Sequence, residues 1–391
     1  MLKQIFQSID DLYPEMVEIR RYLHQYPELS FQEHKTAKYI ANFYEKLEIP
    51  YKQNVGGNGV VATLKGGKPG KTIALRADFD ALPIQDEKEV DYKSKVDGVM
   101  HACGHDGHTA TLLTLAKVMK KYQSELPGTI VFLHQHAEEY APGGAKPMIE
   151  AGAIDDVDVV FGTHLWATIP LGVLQTSPDV FMAGADRFEI KIQGQGGHGA
   201  YPHETKDSIV IGTQIVSQLQ QIVSRRIDPL KTAVVTVGAF EAGEAYNIIA
   251  DQAKILGTVR YLEKDVQETV MKEMERIIEG ACTSAGVTYE FDYAKGYPPL
   301  INHAEEAELV LKSSKQIKEI DQAENVIPVM GAEDFAYYTQ NKPGAYFFTG
   351  AQKEGNDYPH HHPKFDIDER ALPIAAKTLI QVYFNYQKKH N

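Results

Sequence analysis

The sequence predicts an α/β protein with a central, mostly parallel sheet flanked by helices, plus an inserted ferredoxin-like (βαββαβ) domain. Three observations support this fold class. The chain has 391 residues, more than one ordinary hydrophobic core accommodates, so we expect two domains. Apolar runs of strand length alternate with helical patterns in the first part of the chain. The middle part has a different order of elements, with two strands in direct succession.

The first part of the chain predicts parallel strands connected by helices. Apolar residues recur with helical spacing in the segments 15–26, 34–48 and 109–123, and Asp106 precedes the last of these as a possible N-cap. Three apolar runs become polar at their ends, as buried strands of a parallel sheet do: 71–83, 128–139 and 157–166.

The middle part predicts a ferredoxin-like unit. Its elements follow the order β-α-β-β-α-β: strand 186–195, helix 207–227, strands 232–240 and 247–262, helix 265–286 and strand 287–296. The alternating α/β pattern then resumes and continues to the end of the chain. We therefore expect a discontinuous larger domain, residues 1–182 and 298–391, interrupted by a smaller domain at 183–297.

Composition indicates a soluble globular protein. Apolar residues make up 43% of the chain and charged residues 24%. The formal net charge of -13 argues against nucleic acid or an anionic membrane as a partner. The beginning of the chain lacks the apolar run of a secretory signal, and Cys103 and Cys282 do not make a disulfide framework. We therefore expect a cytoplasmic protein in a reducing compartment.

Metal-ligating side chains gather where the predicted strands end. The segment 101–108, HACGHDGH, lies just before a predicted helix and contains Cys103 and His105. Glu139 and His164 end two of the apolar runs, and a further histidine is available in the HHH run at 360–362. Open α/β sheets place ligands beyond the carboxyl ends of their strands. Sulfur, nitrogen and oxygen donors together favour zinc, manganese or a similar transition metal over calcium.

The adjacent pair Glu138 and Glu139 indicates catalysis rather than metal storage. One carboxylate suffices to bind the metal, whereas a hydrolase needs a second, unligated one to take a proton from water. Neighbouring side chains point in opposite directions on an extended segment, but at a strand end the backbone can turn both inward. The spacing leaves open which glutamate has which role.

Seven motifs occur in order over nearly the whole chain: RADFDALP, MHACGHDGHTA, AEE, GTHLW, GGHGAYPH, GAEDFAYY and a closing HHP. With them the chain resembles the amidohydrolase branch of the two-metal aminoacylase and glutamate-carboxypeptidase family. That branch includes hippurate hydrolases, N-acetyl-amino-acid deacetylases and plant auxin-conjugate hydrolases. The resemblance implies a catalytic α/β domain with an inserted ferredoxin-like lid that also forms the dimer.

The resemblance also implies a role for each residue of the metal site. Two divalent ions per subunit, manganese or zinc, would share Cys103 as a bridging thiolate, with His105 and His164 on one ion. Glu139 and a closing histidine would hold the other ion. His361 matches the family pattern best, and His362 is the alternative. Glu138 would be the general base, and Asp78 would orient a ligand.

In the lid, the resemblance implies three functional residues. Arg260 would grip the substrate carboxylate in two places, with Asn247 as a neutral hydrogen-bonding companion. His198 would stabilise the oxyanion, often across the interface of a homodimer or higher oligomer. One departure from the branch is HQHAEE in place of the common QPAEE, which puts His136 beside the site.

The function predicted from these residues is a metal-dependent amidohydrolase. A metal-activated water molecule would attack the amide bond of an N-acyl amino acid, acetyl or aryl, with Glu138 as general base. One alternative is a dipeptidase or carboxypeptidase on the same scaffold, for which Glu333 and Asp334 offer acidic partners for a substrate ammonium. Another is a non-catalytic protein that binds metal or peptide. The intact glutamate pair and His198 argue against this last class.

Overall fold

The computed structural model of the protein describes residues 1–390 and contains two compact units. The larger unit comprises Met1–Phe181, Leu300–Ile327 and the chain from Asp334 onward. The smaller unit comprises Met182–Pro299 and Pro328–Glu333. The smaller unit is therefore inserted, in chain order, between segments of the larger one.

The helices and strands follow one another in three groups. The first group is α1 (Leu2–Asp11), α2 (Tyr13–Gln25), α3 (His34–Lys46), β1 (Tyr51–Val55), β2 (Gly59–Lys65), β3 (Lys68–Asp78), α4 (His105–Lys121), β4 (Pro127–Gln135), α5 (Ala145–Glu150), β5 (Val159–Trp166), β6 (Val173–Thr176) and β7 (Val180–Met182). The second is β8 (Gly184–Gln193), β9 (Gly197–His198), α6 (Ser208–Arg225), β10 (Ala233–Ala242), β11 (Ile248–Ile249), β12 (Gln252–Tyr261), α7 (Lys264–Ala285) and β13 (Thr288–Tyr297). The third is β14 (Leu300–Ile301), α8 (Ala304–Ser314), β15 (Gln322–Asn325), α9 (Ala336–Asn341), β16 (Gly344–Gly350) and α10 (Ala371–His390).

The larger unit is organised around an eight-stranded sheet in the order β1-β2-β4-β3-β5-β16-β6-β15. In its centre, β3 runs parallel to both β4 and β5, and β5 runs parallel to β16. These strands are almost wholly buried, which explains their continuous apolar sequences. Their carboxyl ends lie at one edge of the sheet, so the polar residues that follow them come together. The predicted fold class is confirmed.

Helix α4 lies in the core of the larger unit and positions the histidine-rich segment. Nearly all of its 17 residues are buried. The prediction that Asp106 caps this helix is wrong. The helix begins one residue earlier, at His105, after Gly104, whose φ of 95° is the left-handed conformation that glycine adopts without strain. Asp106 lies in the first turn and forms a buried ion pair with Arg20 instead.

The smaller unit contains a four-stranded antiparallel sheet in the order β10-β12-β8-β13. Helices α6 and α7 pack on each other and on this sheet, and together they enclose a separate apolar core. Asp207 caps α6 by accepting hydrogen bonds from two backbone amides of its first turn. The strand predicted at 247–262 is divided into β11 and β12. None of the helices within residues 1–390 is long and apolar enough to cross a membrane.

Candidate active site

The candidate site lies at the carboxyl edge of the large sheet. Asp78 ends β3, the glutamate pair follows β4 after a short turn, and His164 lies near the end of β5. Cys103 and His105 stand at the beginning of α4. The polar residues at the ends of these strands therefore lie together in one site, as the sequence predicts.

Two groups of potential metal ligands share one cysteine. The first group is Cys103, His105 and His164, and the second is Cys103, Glu139 and His361; within each, the ligand atoms all lie within 4.8 Å of one another. Cys103 Sγ is 3.4 Å from His164 Nε2. Glu139 Oε2 is 3.2 Å from His361 Nε2, and its Oε1 is 3.7 Å from His105 Nε2. The two potential ligand groups therefore meet at the Cys103 sulfur.

Two histidines are oriented by hydrogen bonds on the side of the ring that faces away from this centre. His105 Nδ1 lies 3.0 Å from the backbone oxygen of Asp80 and 3.1 Å from its carboxylate. His164 Nδ1 donates to the backbone oxygen of Leu165 at 3.0 Å. Both Nε2 atoms therefore face the centre of the site. In proteins, a metal-bound histidine is usually held in this way, by a hydrogen bond on the ring nitrogen that does not bind the metal. His105 Nε2 and Glu139 Oε1 are buried without a hydrogen-bond partner among residues 1–390.

His108, next to the site, has both ring nitrogens occupied. His108 Nδ1 contacts Asp78 Oδ1 at 2.6 Å, and the Leu165 amide donates to its Nε2 at 2.9 Å. Asp78 therefore supports the beginning of α4 through His108, and its other oxygen binds Arg76.

The HHH run divides into three different environments. The Ala167 amide donates to His360 Nε2 at 3.1 Å, so His360 Nδ1 carries the hydrogen and faces Cys103 Sγ at 3.6 Å. His361 faces Glu139. His362 accepts a hydrogen bond from the Lys364 amide, and its ring stacks on Tyr358. Of the three, His361 is the one that forms a potential ligand group, together with Cys103 and Glu139.

A left-handed turn brings both glutamates inward. Ala137, directly before the pair, has a φ of 51°, which a non-glycine residue adopts only at a cost. The Glu139 amide donates to Asp80 Oδ2 at 3.0 Å. Glu138, 6% exposed, places Oε2 3.9 Å from His105 Nε2. Because of the left-handed conformation at Ala137, the side chains of Glu138 and Glu139 do not point in opposite directions as they would on an extended strand.

The electrostatics of the site favour a cation. Burial raises the pKa of the Cys103 thiol, and Glu139 and Glu138 raise it further. Burial alone would lower the pKa of His105, but Asp78 and Asp80 outweigh it and raise that pKa to about 10. Burial and neighbouring histidines lower the pKa of His164 and keep it neutral. Cys103 therefore stays a thiol unless positive charge lies beside its sulfur, and the neutral His164 has a ring nitrogen that can bind a cation.

The three predicted lid residues belong to the smaller unit, whereas the candidate metal ligands belong to the larger one. His198 is exposed, and its Nδ1 accepts a hydrogen bond from the Ala200 amide, which leaves Nε2 as a donor. The Arg260 guanidinium contacts Thr258 Oγ1 and the Val259 backbone oxygen, and it has no ion pair within residues 1–390. Asn247 is exposed, and its backbone oxygen accepts from the Gly199 amide.

Two of the predicted residues are enclosed by the protein. Asp334 accepts hydrogen bonds from Arg76, Gln135 and the Ala145 amide within the larger unit. Its carboxylate oxygens are therefore occupied by groups of the protein itself. His136 is 2% exposed and packs edge-on against Phe31.

Asp80 is a site residue that the predicted ligand set does not include, although it lies in the RADFDALP motif. Its position two residues after Asp78, on the same side of an extended segment, is the signal that marks it.

Comparisons with known proteins agree with this geometry. Residues 74–385 match the model of peptidase family M20/M25/M40. The chain is 54% identical over 388 residues to a Bacillus subtilis protein named "Putative amidohydrolase YhaA", covering 99% of this chain and 98% of that one. It is 46% identical over 303 residues to the N-acyl-L-amino acid amidohydrolase of Geobacillus stearothermophilus, covering 78% and 82%. It is 40% identical over 392 residues to thermostable carboxypeptidase 1 of Saccharolobus solfataricus, covering 98% and 99%.

A solved structure gives the same result. The crystal structure of the Bacillus subtilis YXEP protein, described as a dinuclear metal-binding peptidase from the M20 family, superimposes with a TM-score of 0.82. The two sequences are 34% identical, and the match covers 97% of this chain and 99% of that one. The family match covers the strand ends of the larger unit and the inserted smaller unit. The chain therefore belongs to peptidase family M20/M25/M40.

Proposed function

We propose that the protein hydrolyses the amide bond of N-acyl amino acids with two divalent metal ions and Glu138 as the general base. The observation that carries this proposal is the sharing of Cys103 by two ligand groups, one with His105 and His164 and the other with Glu139 and His361. His105 Nε2 and Glu139 Oε1, 3.7 Å apart and both buried without a hydrogen-bond partner among residues 1–390, support it further, because a bound ion would complete both atoms.

The protein side chains divide the work of the reaction. The bound ions would polarise the scissile carbonyl and lower the pKa of a water molecule. Glu138 takes the proton from the attacking water and later gives it to the leaving amine. Asp80 holds His105 and the Glu139 amide, and Asp78 holds His108. His360 donates a hydrogen bond to the Cys103 sulfur, which stabilises the thiolate.

The remaining assignments concern the substrate, the metal and the assembly. We infer that Arg260 and Asn247 bind the substrate carboxylate and that His198 donates to the oxyanion. The absence of an ion pair at Arg260 within residues 1–390 supports the first assignment, and the donor on His198 Nε2 supports the second. Manganese or zinc suits the mixed sulfur, nitrogen and oxygen ligands. A homodimer and a cytoplasmic location, where a thiolate stays reduced, complete the proposal.

The relatives named carboxypeptidases favour peptide hydrolysis as a second candidate function. A dipeptidase needs an acidic group for the substrate ammonium. Asp334 does not provide one, because Arg76, Gln135 and the Ala145 amide occupy its carboxylate. The occupied carboxylate of Asp334 favours acyl amino acids, which carry no such ammonium, and leaves Glu333 as the acidic candidate for a dipeptidase.

A substrate panel tests the proposed function. Purified protein is loaded with manganese or zinc and incubated with N-acetyl amino acids, N-benzoyl amino acids and dipeptides of matched side chains. We expect release of free amine from the acylated amino acids at a higher kcat/KM than from the dipeptides. Preferential cleavage of dipeptides would favour the second candidate, and no release from any substrate would contradict both.

A further inference from the structure

Glu33, at the beginning of α3, is a buried carboxylate that none of the catalytic assignments uses. Its side chain is fully buried, and two other residues donate hydrogen bonds to it. The Ala137 amide donates to Oε1 at 2.8 Å, and Asn58 Nδ2 donates to Oε2 at 2.9 Å. Neither donor is charged. A buried carboxylate without a cationic partner is costly, so its presence at this position needs an explanation.

The hydrogen bond to Ala137 acts on the conformation of the glutamate turn. Ala137 has a φ of 51° and is fully buried, and an alanine holds this left-handed conformation only where surrounding contacts fix it. The next residue is Glu138. A change in the backbone at Ala137 would therefore redirect the carboxylate that lies 3.9 Å from His105 Nε2.

A second buried carboxylate holds the other side of Glu138. The Glu139 amide donates to Asp80 Oδ2, which also accepts from Ser30 Oγ at 2.7 Å. The loop before α3 thus reaches the glutamate turn twice, through Ser30 by way of Asp80 and through Glu33 directly. Both amides that flank Glu138 are held by carboxylates.

We propose that Glu33 is the positioning residue of the Glu138–Glu139 pair, holding the Ala137 amide and with it the left-handed turn that aims Glu138. This proposal rests on the proposed function, because it is the general base that Glu33 aims. Glu33 itself contacts neither the candidate metal ligands nor the reacting atoms.

Two variants of Glu33 separate positioning from charge. Glu33→Gln keeps the side-chain length and an oxygen that accepts from Ala137, and Asn58 accommodates the new amide by turning its own. Glu33→Asp keeps the charge but withdraws the acceptor by one methylene. We expect kcat of Glu33→Gln to stay within about threefold of wild type, and kcat of Glu33→Asp to fall by about 10- to 100-fold with little change in KM. The reverse order would overturn the proposal.

Hydrogen exchange provides a readout that does not depend on activity. Amide exchange in a peptide spanning residues 133–141 is measured for wild type, Glu33→Asp and Glu33→Ala. Glu28→Ala is the matched control, because Glu28 lies in the same loop and binds Thr36 in α3 rather than Ala137. We expect faster exchange in this peptide for Glu33→Asp and Glu33→Ala only. If Glu33→Ala does not fold, amide exchange in Glu33→Asp alone tests the proposal.

The two readouts also distinguish this proposal from the proposed function. Unchanged exchange in the Glu33 variants, or an equal increase in Glu28→Ala, would overturn the positioning role whatever the enzyme hydrolyses. Faster exchange in a protein that cleaves no acyl amino acid would support the positioning of the turn and contradict the proposed function.

Discussion

Glu138 and Glu139 are neighbours in the chain but have different surroundings. Glu139 has its amide held by Asp80 and one oxygen 3.2 Å from His361, so its position is fixed by two partners. Glu138 lies 3.9 Å from His105 Nε2 and, although it forms a potential ligand group with His105 and Glu139, it is in neither of the two groups that contain Cys103. These contacts support Glu139 as the metal ligand and Glu138 as the proton-transfer group, the division that the spacing alone leaves open.

At the residue scale, Arg260 provides a test of carboxylate recognition. We expect Arg260→Ala to weaken kcat/KM for N-acyl amino acids by about 10- to 100-fold, because a charge-assisted hydrogen bond contributes about 1.5–3 kcal/mol. The corresponding carboxamides, which lack the negative charge, should lose much less. Steady-state kinetics on both substrate series make the measurement.

Arg187→Ala is the control for Arg260→Ala. Arg187 lies opposite Thr258 on the neighbouring strand β8 and forms an exposed ion pair with Asp292. Equal losses on acids and carboxamides in the Arg260 variant would indicate a structural role and contradict the assignment.

Residue types and strand ends predict the candidate ligands, because sulfur, nitrogen and oxygen donors after parallel strands meet at one edge of a sheet. The sequence does not distinguish His361 from its neighbours His360 and His362. That choice depends on which ring nitrogens are already occupied, by the Ala167 amide for His360 and by the Lys364 amide for His362. Such bonds depend on backbone conformation that the sequence pattern does not contain.

At the scale of elements, Arg20 on α2 connects the beginning of α4 to the segment that follows the HHH run. Its guanidinium lies 2.9 Å from Asp106, 2.9 Å from Asp366 and 3.2 Å from Glu369. Asp106 adjoins His105, and Asp366 follows His361 by five residues. One buried arginine therefore holds together two segments that supply different candidate ligands.

We expect Arg20→Met to lower the free energy of unfolding at pH 7 by about 3–5 kcal/mol, because it leaves buried carboxylates without their cation. Arg21→Met is the matched control. Arg21 also binds Glu369, but its side chain is 45% exposed, so the expected loss is about 0–1 kcal/mol. Urea unfolding followed by circular dichroism measures both. Similar losses in the two variants would contradict the role of the buried network.

The difference between wild type and Arg20→Met should depend on pH. Burial alone would raise the pKa of Asp106 and of Asp366, but Arg20, together with His24 at Asp106 and Lys353 at Asp366, outweighs it and lowers both below the usual 3.8. A depressed pKa in the folded state stabilises the protein above the unfolded pKa, and this contribution disappears as the pH falls. The stability difference should therefore be largest near neutral pH and shrink below about pH 4. A difference independent of pH would contradict this explanation.

The boundaries of elements were harder to predict than their order. The continuous pattern at 247–262 gives no signal for the break between β11 and β12. At α4, Asp106 resembles an N-cap in sequence, but the left-handed Gly104 allows the helix to begin earlier and frees Asp106 for Arg20. In both cases tertiary contacts override the local pattern.

At the scale of the whole molecule, the predicted fold class and reaction class are confirmed. The βαββαβ order of the middle part is sufficient to recognise the inserted sheet, because it interrupts an alternating α/β pattern. The family match and the relatives named amidohydrolases confirm a metal-dependent hydrolase that acts on amide bonds. The oligomeric state and the roles of the lid residues stay predictions.

Subunit mixing tests whether His198 serves the neighbouring chain of a homodimer. His198→Ala and Glu138→Ala should each be nearly inactive, since losing one oxyanion donor costs about 10²–10³-fold. A mixed dimer would contain one site with neither substitution, so activity should recover in part after subunit exchange, which light scattering and mass-tagged chains verify. No recovery despite verified exchange would mean that His198 serves its own chain or has no catalytic role.

The central claim is that adjacent glutamates have separate roles, and comparing Glu138→Gln with Glu139→Gln tests it most directly. Metal content by elemental analysis and turnover of an N-acetyl amino acid are measured on the same samples. We predict that Glu138→Gln retains two ions per chain and loses at least about 10²–10⁴-fold in kcat, the usual contribution of a general base. We predict that Glu139→Gln loses metal. Near-normal turnover by Glu138→Gln, or full metal content in Glu139→Gln, would contradict the account.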